Sequence, residues 1–123
     1  MAVVNFGELL GIDVSRSDEA SATATMVADE RHLNPGGTVH GGALATLVDV
    51  AMGAAVFAGG DEDERPVTIE MKVNYLEGGQ LGPLQAVAKV RRRGSRFTVL
   101  EAEVRQDDRV LAFATGSFTT ISR

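Results

Sequence analysis

Ten consecutive residues, Leu33-Asn34-Pro35-Gly36-Gly37-Thr38-Val39-His40-Gly41-Gly42, run into an apolar stretch that carries one carboxylate, Asp49. These residue types suit carbonyl chemistry. Two glycines after a histidine leave backbone N–H groups unshielded by any Cβ, so a ligand can approach the chain closely. From Ala43 to Ala58 only Thr46, Asp49 and Gly53 interrupt the apolar residues, which predicts a helix buried on nearly every side. An ionised acid within such a helix is unfavourable unless it is paired or used in a reaction. Free amides at a helix start, followed two turns later by an acid, are the layout needed to polarise a carbonyl and attack it.

The flanking sequence predicts the elements that hold this segment. Asn5 with Glu8 three positions on, and Gly11 beyond, mark a short helix over residues 5–10. From Ala20 an alternation places Ala20, Ala22, Ala24 and Met26 on one face of a strand. Pro35-Gly36-Gly37 breaks the chain into a loop. After the long helix, Val67, Ile69, Met71, Val73 and Tyr75 alternate with polar residues as a second strand, turned at Glu77-Gly78-Gly79-Gln80. Leu84 to Arg92 and Arg96 to Gln106 form a hairpin about Arg93-Gly94-Ser95, and Val110 to Ile121 is the last strand. The chain is one α+β domain, residues 1–123, with a curved antiparallel sheet of five or so strands wrapped around one long helix. Val87, Val99, Leu111 and Phe113 fall among polar residues on the sheet's other face, which is then too apolar for free solvent and predicts dimerisation.

Composition narrows the function classes. With no cysteine among 123 residues there is no disulfide framework, thiolate nucleophile or Cys-ligated zinc site, and a cytoplasmic location is the expectation. The start of the chain has no signal-peptide pattern, and the apolar run falls short of the ~20 residues that span a bilayer, so no membrane role is expected. A formal net charge of −5 argues against nucleic-acid binding. The local exception is Arg91-Arg92-Arg93-Gly94-Ser95-Arg96, either a solvated hairpin tip or an anion site, since guanidinium groups bind phosphates in bidentate fashion. His32, His40 and Asp29 have a spacing that suits no common zinc site, so no metal is expected. Asn34 before Pro35 also suits a turn on backbone grounds alone, and Asp49 also suits a structural pairing with an arginine or backbone amides.

The order of elements, together with Asn34, His40-Gly41-Gly42 and Asp49, resembles the hotdog-fold acyl-CoA thioesterases of the phenylacetate-pathway and 4-hydroxybenzoyl-CoA thioesterase group. The stretch Val67 to Leu76 is similar to that family's strand after the helix, with Thr68 where a Ser or Thr stands. The resemblance implies a catalytic set of Asp49, Asn34, Gly41, His40 and Thr68. In it the Gly41 N–H polarises the thioester carbonyl, Asn34 contacts the same centre or the attacking water, and Asp49 of the facing subunit attacks or activates water. Thr68 helps hold the water and His40 orients the loop. Gly42 joins the substrate-binding amides. Arg91, Arg93 and Arg96, with Gly94 and Ser95 at the tip, become candidate ligands for the phosphates of coenzyme A. Gly53 departs from relatives that carry a hydroxyl residue one turn after the acid.

The expected activity is hydrolysis of an acyl- or aroyl-CoA thioester to free acid and coenzyme A. No cofactor is expected, because coenzyme A is part of the substrate. The expected catalytic unit is a homodimer and the expected assembly a homotetramer. A hotdog hydratase or dehydratase would need a catalytic His paired with an acid acting on the carbon chain, which this motif placement suits less well. A non-catalytic acyl-CoA-binding module has no use for the acid.

Overall fold

A computed structural model describes residues 4–123. Asn5 caps the first helix, α1 (Phe6–Leu10): its side-chain oxygen accepts from the Glu8 N–H at 2.9 Å, and its Nδ2 donates to Glu8 Oε1 at 2.9 Å. Gly11, at φ +75°, ends that helix in the left-handed region. Next comes β1 (Asp13–Asp18), which apolar periodicity does not mark, because every residue in it is exposed. Its antiparallel ladder to β2 (Ser21–Ala28) holds it in place, and Arg16 reaches over the Phe57 ring at 5.0 Å. This strand makes the sheet six-stranded rather than five-stranded.

After a 3-10 turn at Glu30–His32 and the glycine-rich loop comes α2 (Gly41–Ala58). The remaining strands are β3 (Glu64–Tyr75), β4 (Gly82–Arg93), β5 (Thr98–Gln106) and β6 (Arg109–Ser122). Their order across the sheet is β1-β2-β4-β5-β6-β3, and every neighbouring pair is antiparallel. Helix α2 therefore carries the chain from β2 across the sheet to β3 at the far edge.

The inner face of the sheet is floored with alanine. Ala22, Ala24, Ala86, Ala88, Ala102, Ala112 and Ala114 are fully or almost fully buried against Leu44, Leu47, Val48, Met52 and Val56 of α2. Small sheet residues let the helix lie close while its own larger side chains fill the space. A Cβ at Gly116 would stand only 2.8 Å from Met52 Sδ, so the floor has no spare volume there.

Two expectations need correction. The helix is not buried on nearly every side: Thr46, Asp49, Val50, Gly53, Ala54 and Phe57 remain half-exposed, because the sheet curls over one side only. Leu111 is not exposed on the sheet's outer face: β5 and β6 shift register beside it, between Val104 and Arg105, and it is fully buried, its Cδ1 lying 3.1 Å from where a Cβ at Gly79 would stand. Leu76 and Glu77 donate their N–H groups to its carbonyl. Val99 and Phe113 do remain exposed, with Val87 half-buried. At 18 residues and mean hydropathy 1.7, α2 is longer than the apolar run alone suggested and meets the length and composition of a membrane-crossing helix; its apolar side is filled here by the sheet.

Candidate active site

The loop leading to α2 is built on two histidines with different duties. His32 is buried, and its Nδ1 accepts from the Asp29 N–H at 2.9 Å. Its Nε2 must then carry the proton, which it donates to the Leu10 carbonyl at 2.8 Å. Its backbone carbonyl accepts from the His40 N–H at 2.7 Å. His32 thus ties α1 to the loop, with both ring nitrogens occupied. His40 is the N-cap of α2, and its Nδ1 accepts from the Gly42 N–H at 2.7 Å. That bond gives His40 an orienting position at the helix start.

Asn34 shapes the turn between them. Its Oδ1 accepts from Gly36 N–H at 2.9 Å and Thr38 N–H at 3.3 Å, while Nδ2 donates to Thr38 Oγ1 at 3.0 Å. The loop closes through the Asn34 N–H to the Thr38 carbonyl at 2.8 Å. Asn34, Thr38, Gly41, Leu44 and Tyr75 line a shallow cavity of about 310 Å³. Gly41 lines this cavity and Gly42 does not. The Gly42 N–H is held by His40, whereas the Gly41 N–H has no protein partner among the described residues. It stands at the positive end of an 18-residue helix, where negative charge is favoured.

Asp49 lies two turns further on. Its Oδ1 accepts from Thr68 Oγ1 of β3 at 2.6 Å, so these two predicted residues meet within one chain. Thr68 borders a bulge, since β3 and β6 shift register between Thr68 and Glu70. Eight residues of helix separate Gly41 from Asp49, or ~12 Å along the axis at 1.5 Å per residue. A carbonyl held at the Gly41 N–H is therefore out of reach of the same chain's Asp49. The chain thus holds an unpartnered helix-start amide and an acid–hydroxyl pair well apart from each other.

The arginine-rich hairpin divides likewise. The Arg93 guanidinium donates to the carbonyls of Val56 at 3.2 Å, Ala55 at 3.4 Å and Glu19 at 3.1 Å. It caps the C-terminus of α2, and those bonds take up three of its five N–H donors, which sets it apart from the other candidate phosphate ligands. Arg91, Ser95 and Arg96 are exposed around the Gly94 turn, with Arg91 3.5 Å from Glu101 and Arg96 over the Phe97 ring. Tyr75 is the residue that sequence reasoning missed at this site. Its alternation marked it only as a strand position, yet its hydroxyl donates to the Gly41 carbonyl at 2.9 Å.

Residues 36–113 match the model of the Thioesterase superfamily. The chain is 32% identical over 109 residues to the acyl-coenzyme A thioesterase PaaI of Escherichia coli, covering 87% of this chain and 76% of that protein. The solved structure of E. coli PaaI superposes with a TM-score of 0.86, covering 94% of this chain and 83% of the other. A conserved Pseudomonas aeruginosa protein of solved structure is 38% identical, with a TM-score of 0.90 over 97% of this chain and 95% of its own. The 1,4-dihydroxy-2-naphthoyl-CoA hydrolase of E. coli is 27% identical over 100 residues, covering 83% of this chain and 74% of that enzyme. With a helix-start amide left open and an acid–hydroxyl pair held on the half-exposed side of the central helix, the chain belongs to the thioesterase superfamily, as a hotdog-fold thioester hydrolase.

Proposed function

We propose that the chain hydrolyses an acyl- or aroyl-CoA thioester to free acid and coenzyme A, with Asp49 as the essential carboxylate. The observation that carries this reading is the open Gly41 N–H at the start of α2, paired with an acid whose other oxygen is left available by Thr68. The thioester oxygen accepts from Gly41, and charge developing on it is stabilised by the helix terminus. Asp49 acts in one of two ways. It takes a proton from the water that attacks the carbonyl carbon, the C–S bond then breaking and the proton passing to the thiolate. Alternatively it attacks that carbon itself, expelling the thiolate and leaving a mixed anhydride that water hydrolyses to free acid and Asp49, the released proton going to the thiolate.

The two half-sites combine across two copies of the chain. Edge strand β3 has one ladder of backbone groups unpaired, with Ile69, Tyr75 and Leu76 exposed on or just beyond it. Pairing two such edges about a twofold axis satisfies both ladders and covers the half-exposed side of α2. It also brings Asp49 of one copy toward Gly41 of the other. The exposed Val99 and Phe113 on the outer sheet face, beside half-buried Val87, provide a surface on which two such dimers form a tetramer.

Thiol release from a panel of aliphatic and aromatic acyl-CoA substrates tests the activity. At least one class is expected to turn over, and inertness toward all of them sinks the reading. Arg91 and Arg96, with Ser95 and the Gly94 turn between them, are proposed to hold the coenzyme A phosphates, and the same assay examines them. Neutralising both arginines is expected to raise KM several-fold with kcat unchanged, because the contacts are remote from the thioester. Added salt should have a similar effect on the wild type, since exposed charges are screened beyond ~8 Å at physiological ionic strength. Arg93→Ala should instead lower stability by about 1–2 kcal/mol in chemical denaturation, through loss of the helix cap, while leaving KM in place. Equal losses on a short thioester lacking the nucleotide would rule out a phosphate site.

A further inference from the structure

We infer that Tyr75 is a positioning residue for the Gly41 amide, an inference that rests on the oxyanion role proposed above for that N–H. Glycine has the widest backbone freedom of any residue, so a glycine that must present its N–H in one direction needs anchors outside itself. The peptide joining Gly41 to Gly42 is gripped at both ends: Tyr75 Oη donates to its carbonyl at 2.9 Å, and His40 Nδ1 accepts from its N–H at 2.7 Å. The preceding peptide is gripped at its carbonyl, where His40 accepts from Ala43 N–H at 2.9 Å and Leu44 N–H at 3.3 Å. Of the four polar groups in these two planes, the Gly41 N–H alone remains for a ligand.

A further observation separates this contact from ordinary packing. The Tyr75 ring lies so close to Gly41 that a Cβ there would stand 3.2 Å from Cε1 and Cζ. The absence of a side chain at Gly41 is what lets the tyrosine reach the carbonyl. Tyr75 comes from β3, the strand that also carries Thr68, so one strand supports the oxyanion amide at one end and the acid further back.

Tyr75→Phe keeps the ring and deletes the hydrogen bond. Its kcat for the best acyl-CoA substrate is expected to fall about tenfold, with KM within a factor of two, because an amide less firmly held is misplaced chiefly for the transition state. In a sample labelled at Gly41, the carbonyl ¹³C resonance is expected to move upfield as its tyrosine donor is lost, with the melting curve and dimer unchanged. Tyr75→Ala should lose more activity than Tyr75→Phe. An unmoved resonance overturns the inference, whatever happens to the rate. So does a Tyr75→Phe enzyme with wild-type kcat, where wild-type turnover depends on Asp49. A wild type that releases no thiol from any substrate overturns the thioesterase reading and this inference together, so the two failures are distinguishable.

Discussion

Asp49→Asn lowers kcat by about 10²-fold or more while leaving the fold and the assembly intact. The substitution removes a negative charge and keeps the shape, and the new side-chain oxygen still accepts the Thr68 hydroxyl that now sits 2.6 Å from Asp49. What disappears is the group that attacks the thioester or takes the proton from water, and loss of a positioned base or nucleophile has that magnitude. KM should move little, because the carboxylate acts on the reacting carbon rather than on the body of the substrate. Asp49 is half-exposed on α2, so even Asp49→Ala opens no core cavity, and alanine suits a helix. Thiol-release kinetics beside a thermal melt make the measurement. Retention of activity within a few-fold by either variant, with the melt unchanged, would make the Asp49–Thr68 pair a structural one.

Mixing two dead variants restores activity. Asn34→Ala breaks the three side-chain hydrogen bonds that hold the turn before Gly41, and Asp49→Ala removes the acid, so each homodimer is inactive for a different reason. In a heterodimer both lesions fall in one of the two composite sites and the other is complete. Random pairing makes half the dimers mixed, each with one working site, so about a quarter of wild-type activity should return. Separately tagged chains, refolded together and purified through both tags, isolate the mixed species. No recovery in that fraction would place the whole site within one chain, against the ~12 Å that eight helical residues put between Gly41 and Asp49.

Much of this architecture was legible because its signals are local. The alternation of β2 and β3, the apolar run of α2 and the Asn5–Glu8 cap each declare themselves within a few residues, and the structure returns all of them. The loop at Asn34–Gly42 was legible for the same reason. β1 was not: every residue of Asp13–Asp18 is exposed, so no periodicity exists to be read, and its place is fixed by a ladder to the neighbouring strand and by Arg16 over the Phe57 ring. The half-exposure of Asp49 was hidden because an apolar run gives no sign of how far a sheet will curl around it. The Arg93 helix cap and the Tyr75 contact were missed through distance, since one meets Val56, 37 positions away, and the other Gly41, 34 positions away. Side chains that serve a remote backbone carbonyl leave no spacing pattern.

The alanine floor beneath α2 limits how this chain can diverge. Ala86 and Ala102 touch no substrate, yet they help set the height at which the helix rides over the sheet, and that height fixes where both Gly41 and Asp49 stand. A valine at either position would overpack the layer by about 1–3 kcal/mol, and the easiest relief is to lift the helix. A shift near 1 Å in reacting groups can cost ~10²-fold in rate, so a substitution that leaves the protein folded would silence it from below. The rim of the cavity, the hairpin tip and the outer sheet face carry no such constraint in this chain. Under the helix a side chain can be exchanged only for one equally small, so a layer that never meets the substrate governs whether the site above it works.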